Sequence, residues 1–241
     1  MNIGTALFCS AALSLACVVS CAAYRPPFTQ AVKASPPADD QQATLVFLWP
    51  TTSCDPGGYV VLATEDGRFL GTVSSGTQLH TTIPPGPAAI VGWNEPQEKA
   101  RGSLTKLAVS VLHGTVSPGH TYYVELEFGE WDDRGPREAY HMQIAQPGTR
   151  ACISPDHVMS TALVNITPTS KAWKDLAQWG IELDGLVPDR VAGQAWLDAR
   201  RGELQDHRTM AEERFAGLRP RARRMATLGA EDGVSSSPTA P

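Results

Sequence analysis

Between residues 43 and 146 the apolar positions come in short runs, rich in β-branched and aromatic residues, and Gly, Pro, Asp or Ser closes each run. The runs at 44–49, 59–63, 68–73, 79–83, 88–93, 104–112, 121–128 and 137–144 favour extended backbone over helix. Between them stand Asp55-Pro56-Gly57-Gly58, Glu65-Asp66-Gly67-Arg68, Ser74-Ser75-Gly76, Pro84-Pro85-Gly86-Pro87 and Ser117-Pro118-Gly119-His120. Asp66-Gly67 is the firmest of these signals, because a tight hairpin turn needs positive backbone dihedrals that these two residues tolerate. Strict alternation from Thr121 to Phe128 marks a half-buried strand, and no segment of this stretch has a helical period. Turn signals at this spacing predict a mainly β fold, an antiparallel β-sandwich of roughly seven to nine strands over residues 43–157.

After Pro155 the pattern changes. Residues 158–166 read as a further strand or a lead-in, and Thr167-Pro168-Thr169-Ser170 as a helix start with Ser170 as N-cap. Ala172, Trp173, Leu176, Ala177 and Trp179 make one apolar face of a short helix that stops at Gly180. Leu186-Val187-Pro188-Asp189 opens a longer helix reaching Leu218, with Val191, Ala195, Leu204 and Phe215 scattered along it. Gly193 and Gly202 each cost that helix about 1 kcal/mol relative to alanine, so it needs support from packing. Residues 158–228 are therefore expected as a C-terminal helical extension and residues 229–241 as a polar, disordered tail.

The amino-terminal pattern is different again. No charged side chain occurs from Met1 to Ala23, and the apolar centre covers residues 6–19. It ends in Val18-Val19-Ser20-Cys21, which resembles the lipobox of bacterial lipoproteins: an apolar residue, a small or β-branched residue and a small residue ahead of the cysteine that receives lipid. The resemblance implies that residues 1–20 are a cleaved signal peptide and that Cys21 is the lipidated first residue of the mature chain. The membrane would then be a partner through the lipid anchor. Ala22, where an aspartate would mark retention at the inner membrane, implies the outer membrane of the cell envelope. Two other readings stay open for the same run, an ordinary signal peptide and a retained helix, since about 20 apolar residues can cross a bilayer. Ser14-Leu15-Ala16-Cys17 is a second and poorer match, with Ser14 where an apolar residue is preferred. Residues 21–42 follow, with Pro26, Pro27, Pro36 and Pro37 among Ala, Ser, Asp and Gln. Such composition buries little and reads as a mobile tether, or else as an arm packed on the domain with Phe28 as its anchor.

The order Asp66-Gly67, Gly71, Ile83-Pro84-Pro85-Gly86 and then Pro118-Gly119-His120-Thr121-Tyr122-Tyr123 resembles a family of bacterial envelope lipoproteins carrying a small β-sandwich of unknown function, similar in look to PEGA-type modules. The likeness covers roughly residues 43–128. It implies a fold and a location, and no catalytic residues come with it.

Composition narrows the chemistry. A net charge of -5 is too mild to point to nucleic acid. The sequence contains no GxSxG, P-loop or Rossmann glycine pattern, and no cofactor is implied. Removing the signal leaves Cys54 and Cys152, and a lone pair of thiols in an oxidising compartment is a candidate disulfide, with two buried free thiols as the alternative. The histidines, His80, His113, His120, His141, His157 and His207, have no paired ligand spacing, so no metal site is expected. Glu125 and Glu127, with Glu130, Asp132 and Asp133 beyond them, read as a solvated acidic edge. Arg219, Arg221, Arg223 and Arg224 form the basic cluster, either a contact for anionic lipid or a soluble helix end.

Three function classes remain. The first is a non-catalytic anchored module that binds an envelope protein. The second is a carbohydrate or small-ligand binder using loop aromatics such as Trp93 and Trp131, and the third is a hydrolase with a scattered site. The positions of Trp93, Trp131, Tyr122 and Tyr123 discriminate among them, since rings around a concavity favour the second class and buried rings the first. The candidate disulfide closes a long loop and would stabilise by ~4 kcal/mol in the chain-entropy model. Oxidised protein from its native host should therefore change gel mobility on reduction, and Cys54→Ser should abolish the change; identical mobility in all three samples rules the bond out.

Overall fold

The computed structural model describes residues 25–33, 39–50, 58–95, 109–129, 131–132, 135–136, 143–146, 149–151 and 160–235. In chain order the strands before the first α-helix are β1 (Thr29–Val32), β2 (Ala43–Trp49), β3 (Tyr59–Thr64), β4 (Phe69–Val73), β5 (Thr77–Ile83), β6 (Gly86–Glu95), β7 (Val109–Val116), β8 (His120–Gly129), β9 (Trp131–Asp132), β10 (Gly135–Pro136), β11 (Gln143–Gln146), β12 (Thr149–Ala151) and β13 (Ser160–Ile166). A 3-10 turn at Lys171–Asp175 leads into α1 (Leu176–Glu182), followed by β14 (Asp184–Pro188), α2 (Arg190–Asp198), α3 (Arg201–Gly217), α4 (Pro220–Met225), β15 (Thr227–Leu228) and β16 (Val234–Ser235). No helix among the described residues is long and apolar enough to cross a membrane.

Most of the strands lie in two mixed sheets. One is ordered β1-β14-β5-β2-β8-β13, with β16 also paired to β8, and the other is ordered β15-β7-β6-β3-β4. The expectation of a purely antiparallel arrangement is corrected here. β2 runs parallel to β8, from Thr44 opposite Thr121 to Leu48 opposite Glu125, β14 runs parallel to β5, and β15 parallel to β7. The reason lies in the turns. Asp66-Gly67 does close a hairpin: Gly67 has φ 87° and its N–H donates to Thr64 O at 3.0 Å, between antiparallel β3 and β4. The turns at 74–76, 84–85 and 117–119 instead carry the chain from one sheet to the other. β2 and β8 thus meet only after the chain has passed through the opposite sheet, and no local turn sets their relative direction.

A shared core lies between the sheets. Leu45, Phe47, Trp49, Leu79, Tyr122, Val124 and Leu163 of the larger sheet pack with Val60, Leu62, Leu70, Ile90 and Leu112 of the smaller one. The alternate residues of β3, β6 and β7, among them Val61, Ala63, Val91, Trp93, Val109 and Val111, are buried on the other face of the smaller sheet against Leu197, Leu204 and Ala211. These strands therefore read as nearly continuous apolar runs, as expected of a sheet covered on both sides. On the far face of the larger sheet, Val46, Leu48 and Ile166 are covered by Ala172, Trp173, Leu176 and Trp179. The apolar face expected at 172–179 is thus in contact with the sheet, although Ala177 is exposed and the helix runs through Gly180 to Glu182.

The boundaries read from composition also change. Of the two readings of residues 21–42, the described part fits the packed arm anchored by Phe28, and it contributes β1, which pairs with β14 from Thr29 opposite Pro188 to Val32 opposite Gly185. Phe28 takes a left-handed backbone, φ 58°, a costly conformation for a bulky residue. Its ring packs edge-on to Phe69 at 6.1 Å and against Trp196 at 5.5 Å, which offsets that cost. Thr72 Oγ1 donates to Pro27 O, and Asp189 N donates to Phe28 O at 2.8 Å. Residues 229–235, expected in the tail, are held in place: Asp232 Oδ2 accepts from Gly229 N at 2.7 Å and from Asn165 Nδ2 at 2.6 Å, and Tyr122 donates its hydroxyl to Ala230 O at 3.1 Å. The long helix expected over 186–218 is split into β14, α2 and α3. Ser170 precedes the 3-10 turn without capping it through its side chain.

Gly193 has a packing reason that Gly202 lacks. A Cβ at Gly193 would collide with the Phe69 ring, whereas one at Gly202 meets nothing within 4 Å. Gly193→Ala should destabilise by about 1–3 kcal/mol through overpacking, despite its better helix propensity. Gly202→Ala should stabilise by up to ~1 kcal/mol. Denaturant titration of both variants checks the pair, and a stabilising Gly193→Ala would contradict this docking of α2.

Candidate functional site

The two aromatic candidates have different fates. Trp93, expected as a ligand-facing ring, is 2% exposed and lies inside, under α3, with its Nε1 donating to Glu95 Oε1 at 3.1 Å. It occupies the outward-alternating position of β6, and that face of the sheet is covered by helix. Trp131 is in β9, paired with Pro136, and its side chain lies outside the described residues. Tyr122 is fully buried in the inter-sheet core, while Tyr123 is half-buried on the far face, edge-on to Trp173 at 6.2 Å, where burial raises its pKa. Cys21, Cys54 and Cys152 lie outside the described residues.

The basic cluster is not a single unit. Arg223 donates to Ala216 O at 2.8 Å and Leu218 O at 3.2 Å and lies 5.6 Å over Phe215, so it closes the carboxyl end of α3. Arg221 and Arg224 are exposed on α4, while Arg219, at the N-cap, is also exposed and has an interaction of its own.

Among the described residues two histidines are buried. His80 on β5 is 6% exposed and His207 on α3 is 8% exposed, and desolvation lowers the pKa of both. For His207 the nearby Glu203 and Asp206 oppose that shift without reversing it. Its ring lies 5.0 Å from Trp93, and Nδ1 has no hydrogen-bond partner among the described residues. His113 is different: its Nε2 lies 3.1 Å from Glu212 Oε2 and its ring packs at 4.6 Å against Phe215, which ties β7 to α3. Among the described residues no three His, Cys, Asp or Glu side chains converge as a metal site.

Two surfaces missed in the sequence are apolar and open. On α1, Ile181 is 87% exposed, whereas Leu176 and Trp179 of the same helix are packed on the larger sheet. On α2, Val191 is 84% exposed, two residues after the Asp189 that bonds Phe28 and caps Ala192 N at 3.1 Å. Nearby, Trp196 is half-buried between Phe28 and the Arg200 guanidinium, 4.4 Å over its ring. Gln194 fastens this helix to the β3–β4 turn, accepting from Phe69 N at 2.8 Å and donating to Gly67 O at 2.9 Å. Ile181 was hidden by reading Gly180 as a stop. Val191 is one of the apolar positions scattered along the long helix expected there, and that pattern assigned it no face.

No protein-family model matches the chain, and neither do any curated protein or solved structure.

Buried neutral histidines set a pH dependence. Above about pH 6.5 His207 is neutral folded and unfolded and contributes nothing. As pH falls below that value the unfolded chain takes the proton first, so stability is lost until the lower folded-state pKa is reached. His207→Gln should flatten the decline in melting temperature between pH 7 and pH 5, relative to the parent protein. An unchanged pH profile would show that this imidazole is not desolvated.

Proposed function

We propose that this chain is a lipid-anchored protein of the bacterial cell envelope, held by Cys21 at the outer membrane. Its two sheets form a β-sandwich that binds another envelope protein and catalyses no reaction. The address comes from Val18-Val19-Ser20-Cys21. The observation that carries the binding role is Ile181 on α1, which projects 87% exposed into solvent from a helix whose Leu176 and Trp179 are packed on the larger sheet. Covering so exposed an apolar side chain with a protein partner releases free energy that covering polar surface does not. The burial of Trp93 and Tyr122 in packing favours this role over a carbohydrate platform, which needs open rings.

The test places a benzophenone amino acid at Ile181 or at Met210, an exposed residue on α3, in the native host. Irradiation should give a discrete higher-mass adduct with a protein from position 181 and none from position 210. Cys21→Ser should move the chain out of the membrane fraction. Equal adducts from both positions, or unchanged fractionation of the serine variant, would overturn the corresponding half of the proposal.

A further inference from the structure

The arm between the anchor and the domain is short. The chain is fixed to the domain from Pro26 to Thr29: Pro26 is buried, Thr29 Oγ1 donates to Pro26 O at 2.7 Å, Thr72 Oγ1 holds Pro27 O, and Asp189 N holds Phe28 O. Only residues 22–24 separate Cys21 from Arg25. Four Cα steps, even fully extended, span no more than about 14 Å. A free tether of residues 21–42 would reach several times farther, at about 3.1 Å per residue.

We propose that the domain lies directly on the lipid bilayer, with residues 25–28 and α2 as the contacting surface. The inference rests on lipidation of Cys21. Given that anchor, the Phe28 corner is bound within one short span of the headgroups, and the residues around it suit that boundary. Val191 is 84% exposed and apolar, and Trp196 presents a half-buried ring beneath Arg200. Trp and Arg pairs of this kind favour the region where apolar and hydrated material meet. The charges are mixed. Arg25 is exposed, and Arg190 is turned back to Thr82 O at 3.0 Å, with burial and the neighbouring Arg68 both lowering its pKa. Asp198 is paired with Arg201 at 3.0 Å, and Glu203 lies 3.7 Å from Arg200. Contact is therefore set by the anchor length and the apolar side chains more than by attraction to anionic lipid. α1 packs on the far face of the larger sheet and α2 on the far face of the smaller one, so this orientation leaves Ile181 free for a protein partner.

The experiment uses the full-length lipidated protein from its host, reconstituted in vesicles of phosphatidylethanolamine and phosphatidylglycerol. A benzophenone amino acid replaces Val191 or, as a matched control of equal exposure, Ile181. After irradiation, intact mass should report lipid adducts from position 191 and few from position 181. A flexible Gly-Ser segment inserted between Ala23 and Tyr24 should lower the adducts at 191 several-fold while the chain stays anchored, since effective concentration falls with linker length. Equal adducts from both positions, more from 181, or no effect of the insertion would overturn the orientation while leaving the anchor intact. A chain recovered without lipid on Cys21 would overturn the anchor and the orientation together, and mass at the mature amino terminus tells the two failures apart.

Discussion

The five-stranded sheet has to be buried on both faces, and much of the remaining structure follows from that requirement. Along β3, Val60 and Leu62 point to the larger sheet while Val61 and Ala63 point away from it, and all are buried. A fully buried aliphatic side chain contributes about 1.5–3 kcal/mol relative to exposure, so leaving the second face open would forfeit that gain at every other residue. The chain answers with α2 and α3, whose Leu197, Leu204 and Ala211 close over Val61, Val91 and Trp93. The close approach of Gly193 to Phe69 and the edge hydrogen bonds of Gln194 hold the first of these helices in place. The same cover draws the amino-terminal arm inward, because Phe28 fills the space between Phe69 and Trp196.

Covering the second face also explains where the polar groups went. His207 projects from α3 into the apolar layer beside Trp93, and its desolvation is the consequence of the helix having to lie flat on the sheet. Arg214, on the same helix, donates to Val109 O at 2.9 Å, and its own burial lowers its pKa. Charged groups that stay outside this layer do positional work instead. Glu65 meets Arg208 at 3.3 Å across the β3–β4 turn, and Arg223 closes the end of α3. At the opposite edge, Leu228 of β15 lies so close to Gly114 that no side chain fits there, and the Asp232 and Asn165 pair then ties the tail to β13.

Much of the strand inventory was legible from composition and turn chemistry. The runs at 44–49, 59–63 and 79–83 lie in strands, and so does the run at 68–73 from Phe69 onward, because β-branched residues bounded by Gly, Pro and Asp leave the backbone few choices. β14 was not legible. Leu186-Val187 is too short to carry a period, and the strand exists because β1 and β5 flank it. The candidate surfaces were hidden for the same reason. Ile181 and Val191 are ordinary apolar letters in the sequence, and their exposure depends on which helix face the sheets take up.

By itself the sequence determined the local vocabulary: where strands run, where Asp66-Gly67 turns back, where the apolar face of the first helix lies, and which cysteine stands after an uncharged apolar run. Those features depend on neighbours a few residues away. Tertiary structure alone decided that β2 and β8 run parallel, that the arm pairs with β14, that Trp93 lies inside, and that Asp232 pins the residues after β15. Each of these joins segments distant in sequence, and the free energy that chooses among such pairings is gained only when both faces of a sheet are covered together.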